Sequence, residues 1–538
     1  MADDRLPPLT CEAGPLGAVP GSLGETLLLN ARHFGEGIAA ASADRCVTHA
    51  ELFRTGHRIA AGLADLGITR DQRTAMLAMN GAEMLEIYAA SEISGIPIVP
   101  LNFRLSATEL LPIVADSAPS VLFFETQYTP LVAGLRDARS GISHFVAIGD
   151  APPWAASYER FLAGAPPAAP WPDIDPDALA CILYTSGSTG TPKGCMHSHR
   201  GFRALAALMT AKMGLTASDR GLIMMPLFHM GGKAVQLGLH WCGADLFIQR
   251  SFEPQAVLET IARERITVTH MAPTMIQRLL DHPHILDFDL SSLRVIFYSA
   301  APMPEPVLRR GLDILGPVFV QSYGQTEITG TVLPARSHRL EGSQADRGRL
   351  SSVGIPPRGV RVRIVDADGA DCPSGAPGEI LMRSPAAMTG YWKNPQATSE
   401  TLQNGWVRTG DIGYLDEAGF LFLVDRKKDV IISGGENIYS REVENALYAH
   451  PDVSEAAVIG VPDAEWGEAV CAIIVREAGS TVDAAAIIAH CRTLIASYKR
   501  PRHVRFVNEL PKMANGKIDK KALRRDRGDF VPLNNPSL

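Results

Sequence analysis

Residues 184–194 read Tyr-Thr-Ser-Gly-Ser-Thr-Gly-Thr-Pro-Lys-Gly and continue from the end of the apolar run ALACILYT (178–185). Gly187, Gly190 and Gly194 permit positive φ and close approach to the backbone, and successive free N–H groups in such a loop form an anion nest. Ser186, Ser188, Thr189 and Thr191 add hydroxyl donors and Lys193 adds a charge, so the chemistry that fits is phosphate binding. Gly190 is followed by Thr191 and not by Lys-Ser/Thr, so this is neither a Walker A loop nor G-x-G-x-x-G. A flexible Gly/Ser linker is the plainer alternative, but linkers are rarely wedged behind a buried strand. Four other constellations are weak one at a time. Tyr323-Gly-Gln-Thr-Glu327 sets a carboxylate behind a glycine turn, which alone reads as the first turn of a helix. Thr409-Gly-Asp411 places another carboxylate after a tight turn, and Asn515-Gly-Lys517 reads as an exposed turn in a basic stretch. His229 ends an apolar strand, where a lone histidine is usually a satisfied core residue.

These groups need elements to hold them. The 538 residues correspond to about three to four folding units, and 46% hydrophobic side chains leave ample core. A net charge of −7 supplies no positive field for nucleic acid, although a local anion site is compatible with it. The eight cysteines stand apart without C-x-x-C pairs and read as reduced, mostly buried thiols. The start of the chain has no basic segment followed by an apolar one, and no apolar run approaches the roughly 20 residues of a spanning helix. The expectation is a cytoplasmic protein for which peripheral membrane contact stays open.

Residues 1–25 are rich in Pro and Gly and are expected to lie loosely on the surface. From about Cys46 to Val121, helix-period and strand-like runs alternate, which predicts an α/β fold with mainly parallel sheets. After a Pro-rich connector at 165–177, GLIMMPLFHMGG, RITVTHMAPTM, LRVIFYSAAPM and VFVQSYGQTE share one pattern, a short apolar strand ending in a polar turn. Ligands collect outside the carboxyl ends of such strands, so these turns point to one composite site. Beyond Pro356 the period becomes two, with Asp-Gly and Ser-Gly turns, and β-hairpins are expected. A small α+β domain is expected from Lys428 onward, giving domains of 1–427 and 428–538.

Taken in order, the motifs resemble the adenylate-forming superfamily: acyl-CoA synthetases, aryl-CoA ligases, firefly-type luciferases and peptide-synthetase adenylation domains. The loop at 184–194 is followed by MPLFHMGG (225–232), SAAPM (299–303), YGQTE (323–327), GYWKNPQAT (390–398), WVRTGDIGY (406–414), DRKKDVIISGGENIYSREVE (425–444) and PKMANGKIDKKAL (511–523). The resemblance implies a large N-terminal domain of doubly wound α/β subdomains plus a β-rich subdomain, and a small mobile C-terminal domain. It implies that Thr185, Ser186, Gly187, Ser188, Thr189, Gly190 and Lys193 cradle the ATP phosphates. A carboxylate beside a triphosphate is repelled unless a divalent cation lies between, so Glu327 with Thr185 would hold Mg2+, and Thr326 would touch phosphate. Tyr323 would stack near adenine, with Gln321, Ser322, Gly324, Ala300, Ala301 and Pro302 beside it. His229, Tyr298, Ser299 and Gly324 would line the acyl pocket. A carboxylate can accept from both ribose hydroxyls, the role implied for Asp411, with Arg426 near the ribose or α-phosphate. Lys428 would be the hinge of the small domain. One face of that domain would bring Lys517 to the substrate carboxylate and α-phosphate, where an ammonium eases the meeting of two anions. The other, with Gly434, Gly435 and Glu436, would border the pantetheine of coenzyme A.

The reading that follows is an AMP-forming carboxylic acid–CoA ligase using ATP, Mg2+ and CoA, with an acyl-adenylate between its two steps. The strand-end segments offer apolar and small side chains with no Asp for an amine and no Arg cluster, so the acid is expected to be a hydrophobic monocarboxylate: medium- or long-chain fatty, alicyclic or aryl. Transfer to a carrier protein is the alternative acceptor chemistry, a luciferase-like monooxygenase a more distant one. A dead nucleotide-binding regulator is disfavoured because Lys193, Glu327, Asp411 and Lys517 are all present. Homodimers are common among the resembled enzymes, and the sequence leaves oligomeric state open.

Overall fold

A computed structural model describes residues 21–138, 141–166, 173–185, 192–301, 303–341, 343–426, 429–433, 436–463, 466–513, 518–526 and 531–532. The chain divides into two compact units, Met1–Val362 with Met382–Arg408, and Arg363–Leu381 with Thr409–Leu538.

The first unit is built on two eight-stranded sheets. In one, parallel strands Arg220–Ile223, Asp245–Ile248, Val268–Met271, Val295–Tyr298 and Phe319–Gly324 stand side by side, and Thr329–Leu333 closes the edge antiparallel to the last of them. In the other, Thr74–Leu77, Ile98–Pro100, Val121–Glu125 and His144–Ile148 run parallel; Leu179–Thr185 joins Ile98–Pro100 and pairs antiparallel with Lys193–Ser198. Alternation along each strand divides the side chains between layers. Val268, Val295, Phe297 and Val320 of the first sheet share the largest core cluster with Met76, Val121 and Phe123 of the second. Their neighbours Met271, Ile296, Tyr298 and Phe319 enter a second cluster, and Ala75, Leu77, Leu122 and Phe124 a third. The shared cluster takes in helices Ala82–Ser94, His199–Met213 and Met230–Trp241.

Ala82–Ser94 is buried on nearly every face, which matches its lack of a polar side. Its two inward acids are paired: Glu86 accepts from Arg45 and Tyr158, and Glu92 meets Lys233 at 2.8 Å. The expectation of a loose segment through residue 25 is corrected at its end. Helix Leu23–His33 begins with Leu23 and Gly24 already buried, because Leu23, Leu27 and Leu28 supply an apolar stripe.

The second unit carries the period-two segment, where strands Arg361–Val365 and Gly378–Arg383 form as expected. Its largest element is a long antiparallel hairpin, Val453–Asp463 with Gly467–Arg476, and His503–Val507 adds in parallel. Helices Ser440–Tyr448 and Ala484–Leu494 share an apolar cluster with one face of that sheet, while Ile459, Cys471, Ile473, Leu510 and Leu523 gather in another. Among the described residues no helix is long and apolar enough to cross a membrane, and the described cysteines are free thiols.

Candidate active site

In the first unit, the segment expected to bind phosphate connects two paired strands. Thr185 stands opposite Lys193 in the register of Leu179–Thr185 with Lys193–Ser198, and the Thr185 hydroxyl donates to the Lys193 carbonyl at 3.4 Å. Ser186, Gly187, Ser188, Thr189 and Gly190 lie outside the described residues. Strand Lys193–Ser198 takes a second antiparallel neighbour, Gly390–Tyr391, with Tyr391 opposite Cys195. Diagonal neighbours on one face come within reach of long side chains, and the Lys193 ammonium sits 5.1 Å above the Tyr391 ring.

The Tyr323–Glu327 segment is a hairpin bend and not a helix start. Phe319–Gly324 turns into Thr329–Leu333, with Gln325 N–H donating to the Ile328 carbonyl at 2.8 Å. Glu327 projects from this bend, half-buried, and accepts from the Tyr391 hydroxyl at 2.8 Å. Met388 N–H fixes the Glu327 backbone carbonyl at 2.8 Å. The structure thus brings together Lys193 and Glu327 through a residue that sequence reasoning quoted in a motif and gave no role, Tyr391.

The neighbouring positions divide by exposure. Gly324, Ala300 and Ala301 are open, and Ala300 holds φ of 74°, the left-handed region an alanine seldom adopts. Ser299 meets His270 Nε2 at 2.9 Å. Burial pushes the His270 imidazole down to about 3, so it stays neutral. Ser322 and Gln321 face inward: the Ser322 hydroxyl donates to the Thr331 carbonyl at 2.9 Å and accepts from the Lys212 ammonium at 2.9 Å. Burial alone pushes Lys212 down to about 7. Tyr298 lies in the second core cluster, its hydroxyl 2.9 Å from His338 Nε2 and 3.4 Å from the Gln321 side-chain carbonyl. His229 is exposed, and its Nδ1 accepts from Gly231 N–H at 3.3 Å, capping helix Met230–Trp241. Tyr323 is buried, Thr326 is half-buried, and Pro302 lies outside the described residues. Sequence reasoning missed His270 and Lys212. A histidine near the end of an otherwise apolar strand was the available signal for the first, and nothing marked the second.

In the second unit, Asp411 and Arg426 face one another across paired strands, 3.3 Å apart, with Asp411 only 6% exposed. The expected tight turn before Asp411 is corrected. Residues Trp406–Leu415 form one strand, with Gly410 at φ of 67° just before pairing with Leu421–Arg426 begins at Asp411. Thr409 ties that point down, its hydroxyl donating to the Ile380 carbonyl at 2.8 Å. Asp425 is buried and accepts from the Ser440 N–H and hydroxyl. Burial raises the Asp425 carboxyl above its usual range, opposed chiefly by the Lys520 ammonium. Lys520 also bonds to the Ser440 hydroxyl and pairs with Glu444, each at 2.7 Å. Glu436 is exposed and opens strand Glu436–Ile438 opposite Ser433. Lys428, Gly434, Gly435 and Lys517 lie outside the described residues.

An adenylate-forming enzyme is the class that this architecture and residue set define. The AMP-binding enzyme model matches residues 29–392 and the AMP-binding enzyme C-terminal domain model residues 442–517, so the chain belongs to the AMP-binding enzyme family. It is 38% identical to a feruloyl-CoA synthase of an Amycolatopsis species, over 94% of this chain and 99% of that one. It is equally 38% identical to an indoleacetate–CoA ligase of Aromatoleum aromaticum, over 90% and 93%. Among solved structures, the amide bond synthetase McbA from Marinactinospora thermotolerans superposes with a TM-score of 0.85 at 34% identity, over 94% of this chain and 99% of that one. The protein is an acid–thiol ligase of the acyl/aryl-CoA branch.

Proposed function

We propose that this enzyme activates a hydrophobic monocarboxylic acid with MgATP and passes the acyl group to CoA. The observation that carries the reading is the placement of one carboxylate, Glu327, at the Tyr391 hydroxyl and one ammonium, Lys193, over the Tyr391 ring. Among the described residues no group of three His, Cys, Asp or Glu side chains is placed to hold a metal ion. A lone carboxylate with threonine hydroxyls suits Mg2+, which takes its remaining oxygens from substrate phosphates and water. When bound there, Mg2+ would neutralise the phosphate charge that builds as pyrophosphate leaves.

Every other role falls to the chain. Lys193 and the loop from Thr185 to Gly190 bind the phosphates, Thr326 orients one of them, and Glu327 with Thr185 holds the cation. Asp411 accepts from the ribose hydroxyls, and Arg426, its cross-strand partner 3.3 Å away, aims that carboxylate. Lys517 brings the substrate carboxylate and α-phosphate together, and the CoA thiol then attacks the mixed anhydride and expels AMP. Segments 1–427 and 428–538 act as working parts about Lys428, with Gly434, Gly435 and Glu436 on the side that receives CoA. His229, Ser299 and Gly324 border the acyl group, and Tyr298 backs that wall from the core. Likeness to a feruloyl-CoA synthase and an indoleacetate–CoA ligase supports an aryl acid.

The test is AMP release, dependent on both ATP and CoA, across a panel of acids. An aryl or eight-carbon acid should exceed acetate in kcat/KM by more than about 10²-fold, since each methylene in an apolar pocket counts for about 1–3 kcal/mol. Preference for acetate, an amino acid or a dicarboxylate overturns the pocket reading. The likeness to an amide bond synthetase favours one second reading, an amine as acceptor, so the panel is repeated with an amine in place of CoA.

A further inference from the structure

We propose that Tyr391 positions Glu327 for the metal and Lys193 for the phosphates, making it a single rigid hub of the adenylation site. The proposal rests on the reading of Glu327 as the Mg2+-bearing carboxylate. Tyr391 does not touch the reacting atoms. It acts through its two neighbours.

The hub follows from register. Pairing of Gly390–Tyr391 with Lys193–Ser198 sets Tyr391 opposite Cys195, and Trp392 N–H extends the pairing to the Gly194 carbonyl at 2.8 Å. The Tyr391 N–H is spent on the Thr398 hydroxyl at 2.9 Å. Its ring packs with Cys195, Met388 and Ala397 and is only 6% exposed, so it has nowhere to turn. Gly390 lets the short strand approach: a Cβ there would meet Thr398 Cγ2 at 2.8 Å, at a φ of 149°. From this fixed base the hydroxyl donates to one Glu327 oxygen at 2.8 Å, an ordinary length for O–H···O.

Two consequences follow. Glu327 is oriented before any metal arrives, so the cation does not have to order it. Lys193 rests its ammonium over the π-face of the same ring, 5.1 Å from its centroid, where it remains available to phosphate.

Tyr391→Phe keeps the ring and removes the donor; Tyr391→Leu removes both. Binding is read without any acid substrate, by Mn2+ titration in the presence of ATP followed by electron paramagnetic resonance. Tyr391→Phe should weaken Mn2+ by about tenfold, the scale of one hydrogen bond to a charged group. Glu327→Gln should weaken it at least as much, and the double variant no further than Glu327→Gln alone. In ATP–pyrophosphate exchange, half-saturating Mg2+ should rise about tenfold for Tyr391→Phe while the rate at saturating Mg2+ stays within about threefold. Tyr391→Leu should in addition lose affinity for ATP. Unchanged Mn2+ affinity in Tyr391→Phe, or additive effects in the double variant, overturns the hub while leaving Glu327 its metal role. Absence of ATP-dependent Mn2+ binding in the unaltered enzyme overturns the metal reading itself and this proposal with it.

Discussion

Lys517 carries the sharpest division of labour among the individual residues. In the proposed mechanism its charge serves only where substrate carboxylate and α-phosphate meet, so Lys517→Ala should abolish formation of acyl-adenylate and largely spare thioester formation from supplied acyl-AMP. Separate assays of the two half-reactions decide this, and equal loss in both would assign Lys517 to structure. At the same scale, several residues expected at the ligand do their visible work in the protein. The Ser322 hydroxyl is engaged with Lys212 and Thr331, and the Tyr298 hydroxyl with His338. Such side chains shape the site by holding the strand ends that carry it. Lys212 is the unusual member, a buried cation whose partners at hydrogen-bond distance are a hydroxyl and a carbonyl. Loss of either partner would leave a buried charge even less compensated.

Elements explain why Gly324 is glycine. It stands where Phe319–Gly324 bends back, and a Cβ would meet the Ile328 carbonyl oxygen at 2.9 Å and Thr329 Cα at 3.1 Å, both backbone. Backbone cannot yield as a side-chain tip can. Gly324→Ala should therefore push the two strands apart, at a cost of about 1–3 kcal/mol, and displace Thr326 and Glu327 with them. Thermal unfolding and ATP affinity should both fall; an unchanged Tm would show that the bend relaxes freely. The bend also illustrates what sequence reading could and could not resolve. YGQTE after an apolar strand signals a turn with a carboxylate, yet hairpin and helix start share that signal. The choice is made by Thr329–Leu333, which pairs with Phe319–Gly324, and that pairing is not a property of the five residues themselves.

For the whole molecule, the buried histidines of the first unit set the response to acid. Burial holds His49, His197, His199 and His338 down to about 4 and His240 and His270 to about 3. The unfolded chain protonates each near 6.5, so between that value and about 4 it binds more protons than the folded one. Their contribution to stability is complete above about pH 6.5 and falls as pH drops, by about 1.4 kcal/mol per pH unit for each histidine. Glu86, Asp425 and Glu444 work the other way, since burial raises them and the folded state takes up their protons first. Histidines outnumber them, so the denaturant midpoint should drop steeply between pH 6.5 and 5. A flat profile over that range would contradict the burial of these imidazoles.

The sequence by itself determined the class of enzyme and the α/β plan, because both are written in local terms. Strand and helix periods follow from which side chains can face a core, and a Gly/Ser/Thr loop with a lysine fits phosphate wherever it occurs. It also determined the order of the motifs, which is why isolated weak signals at Glu327, Asp411 and Lys517 became strong together. What only the tertiary structure decided were relations between distant segments. Tyr391 reaches Glu327 across 64 positions of chain, His270 reaches Ser299 across 29, and Lys212 reaches Ser322 across 110. Asp411 was legible as a carboxylate, but its strand setting and its pairing with Arg426 came from register with Leu421–Arg426. The physical reason is the same in each case. Local propensity selects the element, whereas the partner of a side chain depends on which strands lie adjacent and in what register, and that is settled by burial of the whole core at once.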